Sequence, residues 1–307
     1  MADPTRIPQP QTTANPAVNP GLNPYAAPAA MVIDRPESPA DLGEFVEAGR
    51  IVPAGNGWRW YQHGWRLFRA QMGLWIGVGL MFFLLTTVIQ IIPILGFIAS
   101  FFMAPLLIGG LMVGCHTIDC GGRMQFGDLF AGFSRSMGPL LILGLLEIAG
   151  LITIGLITLA IMGASLAMPD FDALGLRFLF ALLVGLVLIA AYLSAVWFAP
   201  ALIVLNNLSA WAAIQAGFKA SLRNWRSFTV FGLAGLLIAI PVVLIFSAMA
   251  GGLAASAIVG SGAGISSMIW GVLFVMVPLM IVCFAALAPI VFGSIYASYR
   301  DIFYRAG

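Results

Sequence analysis

Six long apolar runs alternate with short polar stretches along this chain of 307 residues, and the runs come in pairs. They cover about Leu74 to Ile92, Phe97 to His116, Pro139 to Leu166, Phe178 to Leu205, Phe228 to Ala250 and Met268 to Tyr296. A helix needs about 20 apolar residues to cross a bilayer core, so each run is long enough to be a span. The pattern predicts an all-α, polytopic transmembrane bundle of six spans. Pro93 to Gly96 is too short a turn to hold a domain, and the loop MPDFDALGLR separates the third and fourth spans. The sixth run is longer than a bilayer requires, so tilt or kinking at Pro278 and Pro289 is expected. Pro241 lies inside the fifth span. Gly251 to Ser267, uncharged and rich in Gly, Ala and Ser, reads as a mobile loop.

A different pattern precedes each pair. Residues 57–71, GWRWYQHGWRLFRAQ, place Trp58, Tyr61, Trp65 and Phe68 on one helical stripe and Arg59, Gln62, Arg66 and Arg69 on another. Aromatic rings favour the headgroup level and arginines meet lipid phosphates, so this helix should lie flat where the membrane begins. A second, shorter amphipathic helix is expected over Phe126 to Met137, and Ser209 is a suitable N-cap for a third.

These pieces repeat. Trp58, Tyr61, Gly64, Trp65 and Arg66 align without gaps with Phe126, Leu129, Gly132, Phe133 and Ser134, and with Trp211, Ile214, Gly217, Phe218 and Lys219. An Ala-Pro dipeptide falls late in each second span, as Ala104-Pro105, Ala199-Pro200 and Ala288-Pro289. The chain therefore reads as three tandem units, each an interfacial helix followed by a transmembrane hairpin. Two spans per unit give every copy the same orientation, which disfavours an inverted-repeat transporter.

Composition narrows the class further. Hydrophobic residues make up 61% and charged residues 8%, against about 25% charged in ordinary soluble domains. The net charge of +2 is too small to argue for nucleic acid. Placement says more: with the N-terminus inside, only Arg177 of the fourteen Lys and Arg falls outside, so both termini are expected in the cytoplasm. Residues 1–49 hold nine of the eighteen prolines and few large apolar residues, which predicts a disordered, Pro-rich cytoplasmic tail before a membrane domain spanning 50–307. No charged and apolar leader marks a cleavable signal. Three cysteines, without C-x-x-C spacing, suggest neither a disulfide framework nor a zinc ribbon.

Candidate chemistry is sparse. Glu147 is the one charged residue well inside a span, where a carboxylate costs about 2.5 to 3.5 kcal/mol on insertion scales. Gly79 and Gly232 occupy its place in the other units and would leave room for a proton-linked or cation site; the plainer reading is a protonated Glu147 bonded to Gln90 or a serine. Cys115, His116, Asp119 and Cys120, with His63 in reach from the first amphipathic helix, have metal-ligand side chains but no standard spacing, so no metal or other cofactor is expected. Gly73 with Gly77, and Gly110 with Gly114, are small-x-x-x-small pairs suited to close helix packing. Walker, nucleophile-elbow and H-E-x-x-H motifs are absent, so no catalytic residues are assigned.

The runs IVPAGNGWRWYQHGWRLFRAQMGLWIGVG, IPILGFIASFFMAPLLIGGLMVGC and FGDLFAGF resemble an uncharacterised six-span inner-membrane family of proteobacteria known by a Burkholderia locus name. The resemblance covers about Ile51 to the C-terminus. More distantly, FAPALIVLNNLSAWAAIQAGFKASLRNW is similar to the membrane domain attached to some glycerophosphodiester phosphodiesterases, and it implies architecture without activity. The expectation is a non-enzymatic protein of the bacterial inner membrane that organises envelope lipids or serves as an accessory subunit of a membrane-protein partner. Arg59, Arg66, Arg69, Lys219, Arg223 and Arg226 would meet anionic lipid headgroups. The rival readings are a small-solute or ion transporter centred on Glu147, needing a polar cavity that joins it to one face, and a membrane-embedded lipid-modifying enzyme, needing several polar groups at one depth.

Overall fold

A computed structural model describes residues 43–166, 171–259 and 270–305. The first interfacial helix, α1 (Asn56–Ala70), stops at Gln71, whose φ of −146° turns the chain into α2 (Met72–Ile89). Pro93 opens α3 (Pro93–Asp119) at a first-turn position, where its missing N–H would have had no helical partner anyway. Gly121, at φ 82°, ends this hairpin with a conformation that a β-carbon would resist.

The second unit differs from its expected form. Its interfacial segment is a 3-10 helix (Phe126–Phe130) closed by a Gln125 and Asp128 capping box, followed by a short helix, α4 (Ala131–Arg135). Ser136 leaves helical geometry, and α5 (Met137–Leu166) and α6 (Phe171–Val196) form the spans. Residues 171–177 are thus helical where a loop was expected, while 167–170 lie outside the described residues. At Trp197 and Phe198 the helix bends, and α7 (Ala199–Asn206) starts on Ala199-Pro200.

Ser209 caps the third interfacial helix, α8 (Ala210–Arg223), accepting from the Ala212 N–H at 3.3 Å. Past Asn224, α9 (Trp225–Val259) runs through Pro241 and through Gly251, so the expected mobile loop is helical up to Val259, and 260–269 lie outside the described residues. In lipid no water competes for backbone hydrogen bonds, so even a Gly- and Ala-rich stretch gains by staying helical. A π-helical turn (Val272–Met276) precedes α10 (Val277–Phe303). Among the described residues six helices are long and apolar enough to cross a membrane, as the apolar runs predict.

All three units begin and end on one face of the bundle. Gln71, before α2, reaches the Gly122 carbonyl after α3; Arg300, late in α10, pairs with Asp119 at the end of α3; Asn206, ending α7, bonds Tyr304 at 2.8 Å. This is the arrangement of parallel, uninverted hairpins. The core gathers there as well, around Trp60, Trp75, Leu107, Leu129, Phe198, Leu202, Tyr296 and Phe303. Towards the opposite face the spans expose large apolar side chains such as Leu84, Ile94, Leu159, Leu237 and Phe274, which suits helices solvated by lipid.

The repeat glycines explain how the units join. A β-carbon on Gly64 would come within 2.5 Å of the Ile290 carbonyl oxygen of α10. On Gly132 it would strike the Leu106 carbonyl of α3, and on Gly217 the Ala195 carbonyl of α6, at 2.8 Å. Each interfacial helix therefore lies backbone to backbone on the second span of the preceding unit, and the first unit closes the ring on the third. The helical prolines take part. Pro105 leaves the Phe101 carbonyl without its usual helical donor, and that carbonyl is where Gly144 of α5 presses closest. Of the paired glycines, Gly77 meets the Phe126 ring, Gly110 the Leu129 carbonyl and Gly114 the Met124 side chain, so they pack within the chain, while Gly73 faces open space.

The membrane body also starts earlier than residue 50. Glu44 and Phe45 (β1) pair antiparallel with Arg305 and Tyr304 (β2), and the Val46 and Arg50 N–H groups donate to Phe303 and Ile302. Residues 43–49 thus belong to the ordered body, and 1–42 lie outside the described residues. Composition hid this attachment because its hydrogen bonds are made by backbone rather than by side chains.

Candidate functional site

Two carboxylates, one with its side chain buried and one partly buried, organise the face where the units meet. Asp119 ends α3 with its side chain 5% exposed. It pairs with Arg300 and accepts from the Tyr296 hydroxyl at 3.3 Å. His63 Nε2 lies 3.1 Å from its other oxygen, although the N–H is not aimed for a hydrogen bond. Arg66 donates to His63 Nδ1 at 2.8 Å, which assigns the neutral ring's proton to Nε2, on the carboxylate side. His116 Nδ1 stands 3.3 Å from the Tyr296 hydroxyl, and Cys120 Sγ 3.7 Å from His116.

The neighbouring carboxylate, Asp301, turns the other way. It takes Arg50 at 2.8 Å, the Asn56 amide at 2.7 Å and the Trp60 indole N–H at 2.9 Å. Consecutive residues at the end of α10 thereby hold both the N-terminal segment and the end of α3. Asn224, between α8 and α9, adds a third tie: it accepts from the Val52 N–H at 2.8 Å and donates to the Arg50 carbonyl at 2.9 Å. Trp60, Asn224, Tyr296, Arg300 and Asp301 were not singled out from sequence. The available signal was the unusually polar run YASYRD inside an otherwise apolar final span.

Arg50 and Arg300 pair with these carboxylates, and six other basic side chains face outward. Arg59, Arg66 and Arg69 of α1, Lys219 and Arg223 of α8, and Arg226 at the start of α9 are all exposed. Trp58, Trp65, Trp211 and Trp225 are exposed among them, and Arg226 lies over the Trp225 ring, 5.5 Å from its centroid. The aromatic stripe of α1 needs correction. The face that packs is Gly57, Trp60, Gly64, Leu67 and Phe68; Trp58 and Trp65 point away, and Tyr61 is half-buried, stacked 4.4 Å from Phe231. Burial raises the pKa of the Tyr61 phenol and keeps it neutral. Beside α8 lies an open groove of about 410 Å³ lined by Glu47, Ala48, Ala212, Gln215, Ala216, Lys219 and Arg223.

The metal-type residues come together only in part. His63 does reach Asp119, but among the described residues no group of three or more His, Cys, Asp and Glu is placed to hold a metal ion. Glu147 sits half-buried on α5, three residues before Gly150, where the Tyr192 ring of α6 approaches. Of the glycines at its place in the other units, Gly79 packs on Ala285 and Gly232 faces open space. Gln90 caps the far end of α2, whereas Glu147 lies ten residues into α5, about 15 Å from its start, so they are not partners. Neither the groove beside α8 nor the small apolar cavity lined by Trp75, Gly79 and Phe284 includes Glu147. Glu147→Gln, which keeps the shape and removes the titratable group, is expected to leave thermal stability in detergent within about 0.5 kcal/mol of the parent, or to raise it. A large loss of stability would show that the carboxyl group is structurally engaged.

The fold and its polar face define a multi-pass, all-helical membrane protein. The chain is similar to a protein of Burkholderia thailandensis named "probable inner membrane protein", with 27% identity over 271 residues, covering 82% of this chain and 92% of that one. This similarity and the six apolar helices together support an inner-membrane location. No family model matches the chain, and no solved structure matches it.

Proposed function

We propose that this protein is a non-enzymatic organiser of inner-membrane lipid, holding anionic headgroups against its interfacial helices, with both termini in the cytoplasm. The observation that carries this reading is the division of labour among its cations. Arg50 and Arg300 are spent on Asp301 and Asp119, whereas Arg59, Arg66, Arg69, Lys219, Arg223 and Arg226 are exposed among tryptophans at the end of the spans. Exposed Trp beside exposed Arg is the side-chain mixture suited to the headgroup layer. Each such cation contributes about 1 kcal/mol to attraction by an anionic surface, so six together outweigh the screening that makes any one of them weak.

Native mass spectrometry of protein released from nanodiscs containing phosphatidylglycerol and phosphatidylcholine tests the reading. Retained adducts should be mainly phosphatidylglycerol. Replacing all six cations with Gln should remove that preference while leaving the melting temperature nearly unchanged, because none of the six supports a buried carboxylate directly. Equal retention of both lipids by the parent protein would overturn the proposal.

A further inference from the structure

We infer that the groove between α8 and the N-terminal segment binds a phospholipid headgroup carrying both a phosphate and a primary ammonium, that is, a phosphoethanolamine lipid. Gln215, Lys219 and Arg223 stand four residues apart and so share one face of α8. The Arg223 guanidinium is already steered, donating to the Ala48 carbonyl at 3.1 Å, which fixes one cation at the groove wall. Glu47, exposed, lines the same groove from the N-terminal segment. Among the described residues no ion pair joins Glu47 to Lys219, although both line the same groove.

Cations and a carboxylate that line one open space without closing on each other match a ligand with the opposite order of charges. Phosphate oxygens accept from Lys219 and Arg223, and the ammonium donates to Glu47. A headgroup with net negative charge and no ammonium meets Glu47 as repulsion. A trimethylated ammonium has no N–H to donate. The flanks select a lipid over a free phosphate ester: Trp211 is 61% exposed, Trp225 60% and Leu222 54%, which places apolar surface beside the charged row for the glycerol and acyl portion. The inference rests on the preceding reading for the placement of α8 at the lipid surface, but it assigns this groove a different headgroup from the anionic one proposed for the rim as a whole.

The test is native mass spectrometry from nanodiscs with equal parts phosphatidylethanolamine, phosphatidylcholine and phosphatidylglycerol. The parent protein should retain phosphatidylethanolamine about threefold over phosphatidylcholine, the scale of one exposed charge-assisted contact. Glu47→Gln should equalise those two lipids while phosphatidylglycerol stays bound, and the pair Lys219→Gln with Arg223→Gln should lower retention of phosphatidylethanolamine. The pair Arg59→Gln with Arg69→Gln should leave the ethanolamine-to-choline ratio untouched. If the parent shows no such ratio, or Glu47→Gln keeps it, the groove assignment falls while retained phosphatidylglycerol leaves the rim reading standing. If all three lipids are held equally, both fall. Soluble phosphoethanolamine in excess should not displace the lipid; displacement would make the free ester the ligand and overturn the lipid assignment.

Discussion

Gly132→Ala and Gly64→Ala are each expected to destabilise the protein by about 2 kcal/mol or more, enough to cut the yield of monodisperse material sharply. Alanine in a helix normally gains up to about 1 kcal/mol over glycine, so the effect must come from packing. At Gly132 the new methyl would overlap the Leu106 carbonyl, and at Gly64 it would press on the Ile290 carbonyl and the Ser294 N–H. These are backbone atoms of long helices and cannot rotate aside as a side-chain tip would. To accommodate the methyl, α1 would have to lift from α10, loosening Trp60, Leu67 and Phe68 together. Overpacking usually costs about 1 to 3 kcal/mol, and a backbone obstacle belongs at or above the top of that range. Gly127→Ala and Gly138→Ala are the controls, because nothing lies within 4 Å of a β-carbon at either position. The measurement is thermal unfolding in detergent, followed by size-exclusion chromatography. Melting of Gly64→Ala and Gly132→Ala level with the controls would refute the ring of backbone contacts.

Asp119→Ala is expected to cost about 3 kcal/mol. Removing one partner of a buried ion pair typically costs about 3 to 5 kcal/mol, since the remaining charge stays desolvated. The lower end applies because the Arg300 side chain is 38% exposed and regains some water once abandoned. The Tyr296 hydroxyl loses its acceptor and His63 its carboxylate neighbour in the same change, so three elements, α1, α3 and α10, come apart at one point. Asp119→Asn should cost less, because the amide oxygen still accepts. The double variant Asp119→Ala with Arg300→Leu should recover part of the loss by removing the stranded charge. Additive losses in this cycle would show that the two side chains do not interact, and the account of the polar face would have to be rebuilt.

How far the chain could be read in advance follows from which interactions leave a local trace. The six spans were legible because burial in lipid demands long uninterrupted apolar runs, and Ser209 because capping is a contact between residues three apart. Glu147 stood out for the opposite reason, as a charge where charges are costly. Trp60 was missed: it sits in a helix crowded with aromatics, and what distinguishes it from Trp58 and Trp65 is Asp301, 241 residues away. The second interfacial segment was read as one helix because its apolar spacing is helical, although the capping box at Gln125 winds it as a 3-10 turn first.

By itself, the sequence determined that three like units, each a surface helix and a hairpin, enter the membrane from one side. Apolar length and Ala-Pro placement are properties of neighbouring residues, and the recurrent glycine marks the repeat by its spacing alone. Tertiary structure alone decided that the units close into a ring, that Asp119 and Asp301 consume Arg300 and Arg50, and that Lys219 and Glu47 come to line one open groove. Those outcomes depend on which charges arrive within a few ångströms after folding, and Coulomb attraction between residues far apart in the chain leaves no period in the sequence to read.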